Sequence, residues 1–188
     1  MLIILFGAGV ECQVRLHFQD SGFPGTFGSY LSCRLAWAAG VSLGFCVAGG
    51  ASGAHLNPAI TVALAILRGF SKRKVAPYVI SQILGCMFGA LVVYALYTES
   101  IYRFDQSYDP TVNVLLPSAG MFITGPNPVV SLGTAYLTEF VATATLVLLI
   151  FAFADPANVA LGPSSLPLGL FFSIYAIGSA LGSNVRTC

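Results

Sequence analysis

Ala51-Ser-Gly-Ala-His-Leu-Asn57-Pro-Ala-Ile-Thr-Val-Ala-Leu-Ala-Ile-Leu67 is apolar, yet too short to cross a bilayer and return as two helices. It has two parts. Gly53, with Gly49 and Gly50 just before it, suits an irregular, extended approach. Asn57 then makes a good helix N-cap, with Pro58 at the first helical position. Ala59–Leu67 continues as an apolar helix. From Asn57 to Leu67 such a helix measures roughly 15 Å, about half a hydrocarbon core. The pattern predicts a re-entrant segment, an irregular approach followed by a half-helix at 57–67. Non-helical backbone at that depth must be buried in protein or line a wet cavity. The alternative is a cytoplasmic loop and an amphipathic helix. It is disfavoured because Ala51–Leu67 contains no Asp, Glu, Lys or Arg.

The flanking sequence places this segment in a membrane. Of 188 residues, 56% are hydrophobic and only 8% are charged. A soluble surface draws on about 25% charged residues. Mean hydropathy is +0.84. Four stretches approach the roughly 20 apolar residues of a helical span: Leu31–Gly50, Pro77–Tyr97, Leu132–Ala154 and the shorter Leu166–Gly182. Met1–Val10 reads as half a span, and without a basic leader it is a poor secretory signal. The reading is about five crossings, counting that partial one. Arg68, Lys72, Arg73 and Lys74 put the loop after the half-helix in the cytoplasm. Thr98–Ser131, with Glu99, Asp105 and Asp109 against Arg103, is then external. Asp155–Ser165, broken by Pro156 and Gly162-Pro163, is again cytoplasmic.

The same composition excludes other classes. A net charge of +1, without a basic stripe, gives no nucleic-acid surface. Two histidines and few acids form no nucleophile–base pair, so neither an enzyme nor a cofactor or metal is expected. The five cysteines have no metal-like spacing. A Cys12–Cys33 disulfide is conceivable if both lie on one side of the membrane.

Asn57 carries the chemistry of the segment. As an N-cap, its side-chain oxygen accepts a backbone N–H, which leaves its NH2 outward as a donor. The positive end of the half-helix dipole lies at the same point. A water or alcohol would turn its oxygen toward Asn57, while a cation would be repelled. The carbonyls of Gly53, Ala54, His55 and Leu56, if extended, would form a ladder of acceptors leading in. Such groups replace a solute's hydration without holding it tightly. The same Asn-Pro pair could equally cap an ordinary buried helix. There is also a faint internal repeat between Met1–Ala8 and Thr145–Ala152, each followed by a polar turn. Repeated halves with a broken helix are common in transport proteins.

Ser52-Gly-Ala-His-Leu-Asn-Pro-Ala-Ile-Thr-Val-Ala-Leu64 resembles the first Asn-Pro-Ala box of the major intrinsic protein family, the aquaporins. Ser71-Lys-Arg-Lys-Val75, Ser81-Gln82-Ile-Leu-Gly85 and Tyr136-Leu-Thr-Glu139-Phe-Val-Ala-Thr143 resemble its glycerol-conducting branch. The resemblance implies an all-α membrane protein, an aquaporin-like helical bundle of two inverted repeats. Residues 1–97 would be the first repeat and 132–188 an incomplete second one. It implies that Gly53, Ala54, His55, Leu56, Asn57, Pro58 and Ala59 line the pore. Asn57 would be the first pore asparagine, and His55 would buttress the loop. It implies that Trp37 and Gly178 belong to an outer selectivity filter, the indole holding a polyol's carbons and the glycine making room. Trp37 could instead be an interfacial belt residue. Glu139 would be a buried acid supporting a second pore loop.

The family plan has a second Asn-Pro-Ala box and an arginine after Gly182, where this chain reads Ser183-Asn184-Val185-Arg186-Thr187-Cys188. Nothing is therefore carried onto Asn184 or Arg186. The resemblance implies a chain truncated at both ends. The expected function is a passive channel for glycerol, other small neutral solutes and water, in a multi-pass membrane protein of the plasma membrane or another cellular membrane. Its partners would be the lipid bilayer and, in the intact family, a homotetramer. One rival is a non-conducting membrane subunit that joins complete ones. Another is a coupled transporter, for which Glu139 reads as the only good ionisable candidate within a span.

Overall fold

The computed structural model describes residues 1–21, 27–106, 117–158 and 165–186. Asp109, Gly162, Pro163, Thr187 and Cys188, named above, lie outside them. Six α-helices follow in order: α1 (Leu2–Ser21), α2 (Tyr30–Ser52), α3 (Pro58–Leu67), α4 (Val75–Gln106), α5 (Leu132–Phe153) and α6 (Leu166–Leu181). Among the described residues, three helical segments are long and apolar enough to cross a membrane: Tyr30–Ser52, Lys72–Gln106 and Leu132–Phe153. α6 is apolar but shorter, at 16 residues. The expected spans reappear with ends moved by a few residues, except that α4 continues past Tyr97 to Gln106.

The largest difference concerns the N-terminal span. The first helix does not end at Val10. Instead α1 runs on for 20 residues, about 30 Å. Hydropathy falls at Glu11 and Arg15, so apolar run length marks only the first half of the helix. The helix continues because the two sit one turn apart, with Arg15 Nε 3.4 Å from Glu11 Oε2. Cys12 and Cys33 are buried thiols and not a disulfide pair. Cys12 instead joins Ala8, Leu16, Val93, Ile101 and Met121 in one apolar cluster between α1, α4 and the 3₁₀ turn at Pro117–Met121.

Helix α1 packs on α2 and α4, α2 on α6, α6 on α5, and the half-helix α3 on α4 and α5. Small residues set the closest approaches. A Cβ on Gly40 would lie 3.1 Å from Ile3 Cα, and one on Gly89 would lie 2.8 Å from Met1 O. Helices in lipid gain little from apolar burial against one another, so such backbone proximity carries the packing. Asp105 ties the 3₁₀ turn to α4, its Oδ1 accepting from Ser118 N at 3.0 Å and its Oδ2 from Ser118 Oγ at 2.7 Å. Two short strands, Gly125–Pro126 and Val185–Arg186, pair antiparallel.

Replacing Gly40 by leucine should force α1 from α2, because the obstructing atoms are backbone. The expected loss is about 1–3 kcal/mol. Unfolding in detergent followed by circular dichroism measures it. An unchanged midpoint would contradict the packing described.

Candidate functional site

The half-helix forms where the sequence places it. Asn57 is extended (φ −145°, ψ 133°), and its Oδ1 accepts from Ala59 N at 2.8 Å. With the carbonyl oxygen so engaged, the amide NH2 is the group left to donate. Pro58 begins the helix, where a missing N–H costs nothing. The approach is not the extended ladder expected. Gly53 (φ 75°), Ala54 (φ 42°) and Leu56 (φ 58°) are all left-handed. For alanine and leucine this costs of order 1–2 kcal/mol each. The reason lies in the path of the chain. After Ser52 it must reverse and climb back, and Leu56 already reaches Gly44, whose Cβ would lie 3.6 Å from Leu56 Cδ1. Gly44 is about 12 Å back up α2 from its end at 1.5 Å per residue.

Thr61 holds the reversal in place. It is fully buried. Its Oγ1 lies 3.0 Å from Asn57 O, 3.0 Å from Gln82 Nε2 and 3.2 Å from His55 Nδ1. A hydroxyl has one proton and two lone pairs. It donates to the Asn57 carbonyl and accepts from Gln82. His55 Nδ1 must then carry a proton and donate, so in the neutral ring Nε2 is the acceptor. His55 also packs edge-on against Phe70 and at a tilt against Tyr78, at 4.5 and 4.9 Å between ring centres. Tyr78 OH donates to Ser52 O at 2.9 Å.

Gly53, Ala54, His55, Leu56 and Asn57 line a cavity of about 320 Å³. Leu146 and Ile150 of α5 and Leu166, Leu170 and Ile174 of α6 form its apolar opposite wall. Pro58 and Ala59 do not belong to it and face an open apolar recess with Thr143 and Val147. The cavity has polar groups along one side and hydrocarbon along the other, which suits a solute with hydroxyls and carbons.

Trp37 and Gly178 do not line this cavity and are joined to each other through residues that no motif singles out. Trp37 packs on Gly7, where a Cβ would come within 2.4 Å of the indole. Its Nε1 donates to Glu11 Oε1 at 3.2 Å. The same oxygen is 3.6 Å from Arg34 Nη2. Arg34 lies over the Tyr30 ring at 4.8 Å, and Tyr30 OH donates to Gly178 O at 2.6 Å. A Cβ on Gly178 would sit 3.0 Å from Arg34 Cδ. The room at Gly178 is thus taken by Arg34.

The profile of the Major intrinsic protein family matches residues 1–185. The chain belongs to the major intrinsic protein family. It is 39% identical over 181 residues to an aquaporin of Laccaria bicolor, covering 96% of this chain and 54% of that protein. It is 40% identical over 184 residues to the "Probable aquaglyceroporin-2" of Gibberella zeae, covering 96% and 52%. The chain thus spans about half the length of the curated relatives it matches. The solved aquaglyceroporin of Plasmodium falciparum superposes with a TM-score of 0.78 at 26% identity, covering 98% of this chain and 69% of that one. The glycerol-conducting branch suggested by the motifs agrees with these names.

In this major intrinsic protein Glu139 is not among the buried side chains of the described residues. Glu139 is exposed, because α5 packs on α6, α3 and the short strand Val185–Arg186 and leaves that flank uncovered. Among the described residues the buried acid is Glu11, 1% exposed, with Arg34 at 5%. Glu139 is therefore not the only ionisable group within a helix span. A signal for the pair was present, since Arg34 interrupts an otherwise apolar stretch, but nothing in the sequence pairs it with a residue on another helix.

Replacing Thr61 by valine keeps the shape and removes the hydroxyl, stranding Gln82 Nε2 and His55 Nδ1, while the Asn57 carbonyl keeps the backbone N–H of residue 61 at 3.0 Å. Each stranded buried group costs about 1–3 kcal/mol. Thermal unfolding should show the loss in Thr61→Val and its near absence in Thr61→Ser. Equal midpoints for the two variants would remove Thr61 from this role.

Proposed function

We propose that this chain supplies the pore wall of a passive channel for glycerol, other small neutral solutes and water. The observation that carries it is the capped N-terminus of α3, with the Asn57 amide beside a cavity whose far wall is hydrocarbon. A polyol can turn its hydroxyls to the loop and its carbons to α5 and α6. The positive end of the half-helix and the absence of any counter-charge among the residues lining that cavity disfavour cations. Gly53 to Asn57 act as the lining. Trp37 and Gly178 act at the outer end, with Arg34 between the indole's partner Glu11 and the glycine. The names of the fungal aquaglyceroporin relatives support glycerol as a solute. On this reading residues 1–97 and 132–188 are the two repeats, and subunits assemble as a homotetramer with one pore each.

A second reading draws on the exposed flank of α5, where Tyr136, Leu137 and Phe140 are 76%, 60% and 62% exposed. That surface favours association with further membrane segments, and a non-conducting subunit would use it in the same way.

Stopped-flow swelling of vesicles containing the protein separates the two. Glycerol flux should rise linearly with gradient, without saturation and without dependence on a proton gradient. Asn57→Leu should lower it toward that of protein-free vesicles. Wild-type permeability equal to protein-free vesicles would overturn the conducting reading and favour the second.

A further inference from the structure

Among the described residues, two charged side chains are buried: Glu11 and Arg34. Neither caps a helix. Apolar residues of similar size would pack this helix junction at least as well, and ionisable groups at membrane depth usually mark function. Their level supports this. Ile3 lines the cavity beside Asn57, and Glu11 lies about 12 Å further along α1 at 1.5 Å per residue. The pair therefore stands between the half-helix and the outer surface.

One carboxylate organises that level. Glu11 Oε1 accepts from the Trp37 indole at 3.2 Å and faces Arg34 Nη2 at 3.6 Å, while Oε2 faces Arg15 Nε at 3.4 Å. Arg34 in turn fills the space beside Gly178 and lies over Tyr30, which is bonded to the Gly178 carbonyl.

We propose that Glu11 is the positioning residue of the outer mouth. It fixes the Trp37 indole through one hydrogen bond and holds the Arg34 guanidinium against Gly178 through one ion pair. The placement of indole and guanidinium then sets how polyols are admitted relative to water. The consequence for solutes rests on the channel reading. The positioning itself does not.

Trp37 is the single tryptophan of the chain, so intrinsic fluorescence reports on it alone. In lipid vesicles, Glu11→Ala should shift its emission to the red and raise quenching by acrylamide several-fold. Glu11→Gln retains an oxygen for the indole N–H but loses the charge, so its emission should stay near wild type. In the same vesicles, Glu11→Gln and Arg34→Leu should each shift the glycerol-to-water permeability ratio several-fold at unchanged helix content. A purely structural role would lower both permeabilities together and leave the ratio unmoved. Unchanged Trp37 emission and quenching in Glu11→Ala would overturn the positioning role. Should Glu11→Ala not fold, a red shift in Glu11→Gln equal to that of detergent-unfolded protein would overturn it instead. If the wild type conducts and the ratio is unmoved in both Glu11→Gln and Arg34→Leu, the solute role falls. If the wild type passes no solute, the channel reading fails, and the fluorescence still decides whether Glu11 holds Trp37.

Discussion

Backbone polar groups cannot be left unpaired in hydrocarbon, and the turn from α2 into α3 is where this chain has to meet that constraint without continuous helix. Three left-handed residues reverse the chain between Ser52 and Asn57. Such a path is unfavourable by itself and persists only when its surroundings over-determine it. The surroundings here are specific. Asn57 caps α3 with its side chain and gives its carbonyl to Thr61, and Thr61 in turn gathers His55 and Gln82. Tyr78 takes the carbonyl of Ser52 at the other end of the turn. The strain and the polar network are thus two sides of one arrangement. The outcome is a half-helix whose positive end and free amide face a cavity.

The remaining architecture serves that arrangement by bringing helices close enough to wall the cavity. Glycines do this where backbone meets backbone, at Gly40 against Ile3 and at Gly89 against Met1. At Gly178 and Gly7 the space vacated by a missing side chain is filled by another, Arg34 in one case and Trp37 in the other. Small residues in this protein therefore have two uses. Some permit packing of main chains, and some make seats for large polar side chains that would otherwise not fit between helices.

The buried charges at the outer end connect the two halves of this logic. Glu11 lies on α1, its partners Arg34 and Trp37 on α2, and the glycine that Arg34 packs against on α6. An unpaired acid or arginine at this depth would be severely destabilising. Together with Arg15, which remains partly open to solvent, they form a compensated cluster that ties three helices at one level.

The sequence by itself determined the membrane class, the half-helix and its cap, because these depend on local facts. Apolar run length decides what crosses, and Asn57-Pro58 within an uncharged run decides where a helix starts. The family motif was legible for the same reason, since its residues are contiguous. Tertiary structure decided what depends on a neighbour. It extended α1 past Glu11 and Arg15, because an ion pair and a cover of α2 remove the penalty that hydropathy assigns to them. It kept Cys12 and Cys33 apart as thiols and left the flank bearing Glu139 exposed. It replaced an extended carbonyl ladder by a left-handed turn, because the direction of re-entry is set by how α2 and α4 stand. Pro58 and Ala59, inside the motif by sequence, turned away from the cavity for the ordinary reason that a helix presents successive residues in different directions.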